Sequence, residues 1–342
     1  MRDYRTSHTG WRSWLRKNGR VMRTVEEAIR DRGPLGNADF RRPRSAGKAG
    51  GWWSWKPATF ALHYLWMTGR VLIHSRVHFQ KRFDLGERVF PGLGGGEPPA
   101  VDEFRRWHTR RALHAMGAAT EMDLRMYLTF PRIGLATRRR ALDAMVKSGE
   151  VTEVGIQGDR ARWFALTEDL PALATAARAR RPARGTTLLT PFDSFLWHRE
   201  RTRRLFGFGY RIEVYTPGHK RTHGYYTLPI LHDGQLIGRL DPKVHRKEQR
   251  LEVRAVHFER WFAAGEPPPA ASWGPLDLDQ AMRGVAEALW SLVAFVDAER
   301  VTVGRVAPAR FGVAFKRALA EARPSAELPQ PVASESGALE PA

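Results

Sequence analysis

The stretch ALHYLWMTGRVLIHSRVHFQKRFDL, residues 61–85, returns in altered form at residues 141–166 as ALDAMVKSGEVTEVGIQGDRARWFAL. Ala61-Leu62 matches Ala141-Leu142, Gly69 matches Gly149 and Val71 matches Val151. After a one-residue slip, Phe83 and Leu85 match Phe164 and Leu166. In each copy an apolar helical pattern runs into a glycine, the usual C-terminal stop of a helix. A short strand, a polar turn and a second strand follow.

Working outward, RTVEEAIRDRGPLGNADF and RRALHAMGAATEMDL precede the two copies. Each predicts a helix, a break at Gly33 or Gly117, and a short second helix around Asp39 or Asp123. Helix, turn, helix, helix and two-stranded wing is the winged form of helix-turn-helix. The sequence therefore predicts two winged helices in tandem, over 1–90 and 100–170. In GLATRRR (134–140), Thr137 is a candidate N-cap with Arg138, Arg139 and Arg140 in the first helical turn. Three cations there oppose the helix dipole, so stability does not account for them. DNA phosphate would account for them, as would a solvated face. The first copy carries an insertion, RRPRSAGKAGGWWSWKP, whose Trp52, Trp53 and Trp55 read as anchors onto the core or as a base-stacking platform.

Residues 171–187 read as a basic linker without periodicity, and 188–322 as a β-rich domain. Asp193 is a candidate cap for a helix reaching Phe206, with Arg199 and Arg203 on one face. YRIEVY, YYTLPIL, QLIGRL and RLEVRAVHF predict an antiparallel sheet, with a hairpin at Asp233-Gly234. YTPGHKRTHGYY (215–226) becomes a basic hairpin connection carrying His219, Lys220, Arg221 and His223. Such a loop suits a DNA groove or the extrusion of a base, or is a solvated loop. Asp241, in GRLDPK, reads as a turn-forming Asp-Pro at a strand end or as a catalytic carboxylate. PLDLDQAMRGVAEALWSLVAFVDAE spaces its apolar residues for a packing helix, and residues 323–342 read as a disordered tail. The whole is an α+β chain: tandem winged helices, then an antiparallel β-rich domain with packing helices.

Composition sets the partner class. The 342 residues carry a formal net charge of +20 and no cysteine. The charge favours polyanions, or reflects a composition in which surfaces are basic throughout. No apolar run reaches the length of a membrane span, and the N-terminus has no signal-peptide pattern. The absence of cysteine removes disulfides, thiolate zinc sites and a thiol nucleophile. The pairs His74/His78 and His219/His223 have metal-ligand spacing but fall in turns without a third ligand. No phosphate-binding loop and no nucleophile–base pair is readable. The residues by themselves predict a basic DNA-binding protein without metal or cofactor.

LLTPFDSFLWHRERTRRLFGFGYRIEVYTPGHKRTHGYYTLPIL, continuing to GRLDPKVHR, resembles the YcaQ/AlkZ family of winged-helix DNA glycosylases, as does AGGWWSWKPATFALHYLWMTGRV. The resemblance spans most of the chain, from about Thr6 to Glu321. It implies excision of alkylated purines and unhooking of interstrand crosslinks without a metal, on a basic concave surface. By that resemblance Lys220 and Arg221 lie on a DNA-contacting hairpin. Candidate DNA-binding residues are Lys220, Arg221, His219, His223, Arg199, Arg203, Arg138 and Arg139. Double-stranded DNA is the expected partner of a cytoplasmic, nucleoid-associated monomer. The family's catalytic residues form a Gln–apolar–Gln or Gln–apolar–Asp motif in its first winged helix. Gln157-Gly158-Asp159 departs from it, since Gly158 is not apolar and the triplet falls in a wing turn. The chain thus reads as beginning after that module, with its catalytic residues unknown. Three readings stand: a glycosylase whose gene model has lost its start, a DNA-binding homologue without excision activity, or a protein-interaction module.

Overall fold

Both copies of the repeat fold into one succession of elements in the computed structural model, which describes residues 9–41, 56–92, 99–127, 133–178, 184–269 and 274–324. The chain is a mixed α+β fold with three sheets among the described residues, divided into two units, Met1–Leu173 and Ala174–Ala342.

In the first unit, copy one comprises α1 (Thr9–Arg32), β1 (Leu35–Gly36), a 3-10 turn at Asn37–Asp39, α2 (Pro57–Met67), β2 (Val71–Val77), β3 (Gln80–Leu85) and the short α3 (Gly86–Val89). Copy two comprises α4 (Val101–Met116), β4 (Ala118–Thr120), α5 (Glu121–Tyr127), α6 (Leu135–Lys147), β5 (Val151–Ile156) and β6 (Asp159–Leu166). The sheets share one topology, β1-β3-β2 and β4-β6-β5.

The likeness extends to single bonds. The C-termini of α2 and α6 close in the same way. Gly69 N–H donates to Trp66 and Arg70 N–H to Leu65, while Gly149 N–H donates to Val146 and Glu150 N–H to Met145. Gly69 and Gly149 are left-handed, at φ +74° and +76°, which is the helix stop that glycine makes without strain. Ahead of each hairpin, Asp39 accepts from Gly36 N–H and Asp123 from Thr120 N–H. The aligned apolar residues form the cores: Leu62, Val71, Phe83 and Leu85 in one, Leu142, Val151, Phe164 and Leu166 in the other. Val71 faces Leu85 and Val151 faces Leu166 across the hairpins, so the register of the alignment is the register of the strands.

One expectation fails locally. The helix of copy two starts at Leu135, capped by Gly134, not at Thr137. The reason is the buried Arg138, whose guanidinium reaches back to the Ile133 carbonyl at 3.0 Å and holds the chain ahead of the helix. The insertion's Trp52, Trp53 and Trp55, and the C-terminal tail from residue 325, lie outside the described residues.

The expected linker is partly structured. Leu170–Arg178 forms α7 and Thr186–Leu188 forms β7, the edge strand of the second unit's sheet. The rest of that unit is α8 (Arg199–Phe206), β8 (Leu228–His232), β9 (Gln235–His245), β10 (Arg250–Phe258), α9 (Arg260–Ala264), α10 (Leu278–Phe295), β11 (Arg300–Ala307) and α11 (Gly312–Glu321). Strand order is β11-β10-β9-β8-β7. β8 and β9 meet at Asp233-Gly234, both at positive φ, as a two-residue hairpin requires. The sheet is not wholly antiparallel: β11 runs parallel to β10. A parallel neighbour needs a crossover, and the 18-residue α10 supplies it.

Within β9, Leu236 joins a small cluster with Leu189, Leu196, Phe208 and Tyr210, whereas Ile237 joins the main core under α10 and α11. Adjacent strand residues point to opposite faces, so this central strand is covered on both. Asp193 does not cap a helix. Its carboxylate accepts from Phe195 N–H at 2.8 Å in a local turn, and α8 begins at Arg199 with His198 as its cap.

Candidate nucleic-acid interface

Residues 209–227 lie between α8 and β8 and contain no strand; the expected hairpin does not form. Its place is taken by a loop wound about two buried carboxylates. Glu213 accepts from the backbone amides of Thr222 (Oε1, 2.9 Å), His223 (Oε2, 2.8 Å) and Gly224 (Oε2, 3.2 Å). Asp241 accepts from Tyr225 and Tyr226 N–H at 3.2 and 3.3 Å. Their side chains satisfy the amides of residues 222–226 that RIEVY would have taken as a strand partner. Burial pulls the Glu213 pKa upward, but the three amides and nearby His223 outweigh it and leave it below the ordinary carboxylate value.

Asp241 is therefore not at a strand end. It sits inside β9 and ties the loop to the sheet. Gly224 is fixed by the same contact: its φ is +149°, and a Cβ there would lie 2.3 Å from the Asp241 carboxyl carbon.

This frame projects Tyr215, His219 and Lys220 into solvent, Tyr215 being 85% exposed. Among the described residues Lys220 has no ion-pair partner. Arg221 is partly spent on the loop: its Nε donates to the Thr216 carbonyl at 2.8 Å, and its guanidinium lies 4.8 Å from the Tyr225 ring centre. On α8, Arg199 is exposed, while Arg203 is paired with Glu200 on the same helix. The turn ahead of α8 exposes Phe192, Phe195 and Trp197, and Phe192 lies 6.3 Å from the ring of Tyr226.

The two histidines of the loop separate. His219 is exposed and His223 is half-buried, edge-on to His257 at 5.2 Å. Burial, then the charges of Arg239, His257 and Arg305, hold the His223 pKa at about 4. His257 is lowered for the same reasons, burial first and then Arg305 and Arg239. Buried Arg239 donates to the Gly209 carbonyl at 2.9 Å and to Glu259 at 2.6 Å, with Phe208 against its guanidinium. A cleft of about 490 Å³ opens between His223, His257, Arg260 and Arg310. His223 and His257 are thus neutral at ordinary pH, suited to hydrogen bonding and not to ionic contact with phosphate.

In the first unit the triple arginine divides. Arg138 is 6% exposed, and burial lowers its pKa, with Arg125 adding to the effect. Its burial and its bond to the Ile133 carbonyl set it apart from the other DNA-binding candidates of this helix. Arg139 is exposed but paired with Glu121 at 3.0 Å, and Arg140 is exposed with, among the described residues, a long bond to Thr137 at 3.4 Å. His74 lies in β2 and His78 at its hairpin turn; among the described residues no three metal-ligating side chains gather. No described helix is long and apolar enough to cross a membrane.

Sequence reasoning missed Glu213, Arg239 and His257. The available signal for Glu213 was a carboxylate between Ile212 and Val214, just ahead of a loop rich in backbone amides without strand partners.

Set against known proteins, a family model described as DNA glycosylase AlkZ-like matches residues 1–295. A solved structure, the DNA glycosylase AlkZ of Streptomyces sahachiroi, superposes with a TM-score of 0.51 at 18% identity, over 87% of this chain and 73% of that one. At that identity the likeness concerns the fold.

Proposed function

This chain belongs to the AlkZ-like DNA glycosylase family, and from that premise we propose that it binds double-stranded DNA in the repair of alkylated or crosslinked bases. The first unit is read as two winged helices, over 1–90 and 100–170. The β-rich domain read over 188–322, within the second unit, presents the loop of Lys220 and Arg221. No metal or cofactor enters this reading.

The observation that carries it is the anchoring of a basic loop by Glu213 and Asp241. A solvated loop has no need of two buried carboxylates. A binding loop gains from them, since ordering in advance removes an entropic cost from association. Lys220, exposed and without an ion-pair partner among the described residues, suits a phosphate, and each phosphate neutralised releases counterions. Exposed Phe192, Phe195 and Trp197 offer flat apolar faces of the kind on which bases stack.

Excision is assigned to no residue here. The sequence contains no Gln–apolar–Gln or Gln–apolar–Asp triplet, and Gln157-Gly158-Asp159 occupies the β5–β6 turn. The proposal is therefore binding by these residues, in a family whose chemistry is base excision.

The test is duplex binding by fluorescence anisotropy across a salt series. The logarithm of affinity should fall linearly with the logarithm of salt concentration, and Lys220→Ala should flatten that slope by about one unit, for one phosphate contact. Because Arg221 also holds the loop, the double variant K220A/R221A should lose more affinity than the second unit of slope explains. An unchanged slope in both variants would remove the loop from the interface. Binding that is absent or insensitive to salt would turn the reading toward protein contacts.

A further inference from the structure

In a winged helix, DNA can be met by the helix preceding the wing or by the wing itself, and the two copies of the repeat offer opposite surfaces. No residue of α2 is exposed. Its outer side is covered by α1: Trp11 stacks on His63 at 5.9 Å and lies 5.3 Å from Tyr64, and Trp14 lies 6.0 Å from Phe60. α2 also has no Lys or Arg. In copy two the equivalent α6 is open, exposing Arg139, Arg140 and Lys147. In copy one, the helix that precedes the wing therefore offers neither an exposed residue nor a Lys or Arg to a groove.

Its hairpin shows the reverse. Phe79, at the β2–β3 turn, is 92% exposed, the highest of the exposed large hydrophobic residues described. His78 and Phe79 both lie in the left-handed region, at φ 47° and 63°, between the paired Val77 and Gln80. Two left-handed residues make the tight turn that favours Asn-Gly. The turn of copy two has one left-handed residue where copy one has two, and it is a glycine, Gly158 at φ +82°. Copy one sets a bulky aromatic where copy two has glycine, against both backbone strain and solvation. Strain concentrated at a protruding tip points to a use for the side chain.

The surroundings indicate the partner. From His74 to Phe83 the chain has no acidic residue, and Arg76, Lys81 and Arg82 flank the tip. Lys81 lies over the Trp66 ring at 4.0 Å, and Arg82 is held by the Pro34 carbonyl, so the strands are braced behind the tip. An apolar side chain on a narrow, rigid, cationic ribbon is the form of a minor-groove wedge.

We propose that Phe79 is such a wedge: it enters the minor groove of duplex DNA and partly unstacks a base step. Copy one then meets DNA by its hairpin, and copy two by α6. The inference rests on the DNA-binding reading above, but concerns a different surface.

The test uses the full chain with short duplexes that each carry one 2-aminopurine, a base whose fluorescence rises on unstacking. Saturating wild-type protein should raise the signal. Phe79→Gly should lose that rise while keeping the salt slope, since no cation is removed, with affinity changed by at most about tenfold. Phe79→Leu should restore the rise. Folding is not at risk, because glycine suits this turn; the melting temperature of F79G should equal or exceed that of wild type. A rise that persists in F79G overturns the wedge. Duplex binding without any rise in wild type also overturns it, while leaving the DNA-binding reading intact. A protein that binds no duplex at low salt overturns both. F79G that loses contact with a protein partner, with DNA distortion unchanged, would assign the tip to protein recognition and overturn the wedge.

Discussion

Glu213→Gln isolates what the loop's buried carboxylate does, because the replacement keeps shape and removes charge and one acceptor. In the wild type, Oε1 serves Thr222 N–H, and Oε2 serves His223 and Gly224 N–H. A glutamine keeps most bonds by placing its oxygen at the Oε2 position. Its NH₂ then faces Thr222 N–H, donor against donor at 2.9 Å. One hydrogen bond to a charged acceptor is lost, worth about 1.5–3 kcal/mol, and two become neutral bonds of roughly half the strength. Removing a buried charge offsets part of this. The net local cost is then about 2–3 kcal/mol, a factor of roughly 30 to 150 in the loop's opening equilibrium.

The assay is amide hydrogen exchange across residues 209–227, with duplex affinity measured in parallel. Thr222 should lose protection most, His223 and Gly224 less, and affinity should fall although no cation has been changed. Full protection of Thr222 in E213Q would refute the anchoring argument. Loss of protection with unchanged affinity would separate the loop's order from DNA binding.

Acid should destabilise the second unit over the range in which His223 titrates. His223 takes a proton near 6.5 when unfolded but only at about 4 when folded, so the unfolded chain binds more protons between those values. Stability is then complete above about 6.5 and falls as pH drops toward 4, and thermal unfolding of His223→Gln should show a flatter dependence over that window. An equal dependence in both proteins would contradict the assignment. The depressed Glu213 carboxylate acts lower: its contribution is present above the ordinary carboxylate value and lost as pH falls through the folded one. In the first unit, Arg138→Ala should cost roughly 2 kcal/mol by chemical denaturation, through a lost buried bond and lost packing. Arg140→Ala should leave stability within about 0.5 kcal/mol and flatten the salt slope by about one unit. The reverse pattern would return Arg138 to the interface.

The repeat was legible because its signals are local. Gly69 and Gly149 stop helices wherever they stand, and Val71 and Leu85 follow the first at nearly the same offsets as Val151 and Leu166 follow the second. A helical or strand period needs only neighbours in sequence to be read. The Asp233-Gly234 hairpin and the packing helix α10 belong to the same class. The loop of Lys220 failed as a hairpin for the opposite reason. RIEVY has strand propensity, but propensity is overridden when a buried carboxylate takes the amides that a ladder would use, and Asp241 is distant from them in the chain.

Arg138 and Arg139 are adjacent and chemically identical, yet one is enclosed and the other exposed. Helix periodicity separates their directions, but only packing decides which direction faces protein. The parallel β11 lay beyond reach similarly, since pairing with β10 depends on a crossover and not on its own pattern. The sequence by itself determined the elements, their duplication and the charge that names a polyanionic partner. The tertiary structure decided which cations face outward and which carboxylates hold the loop, because burial and the pairing of buried polar groups depend on which elements the fold packs together.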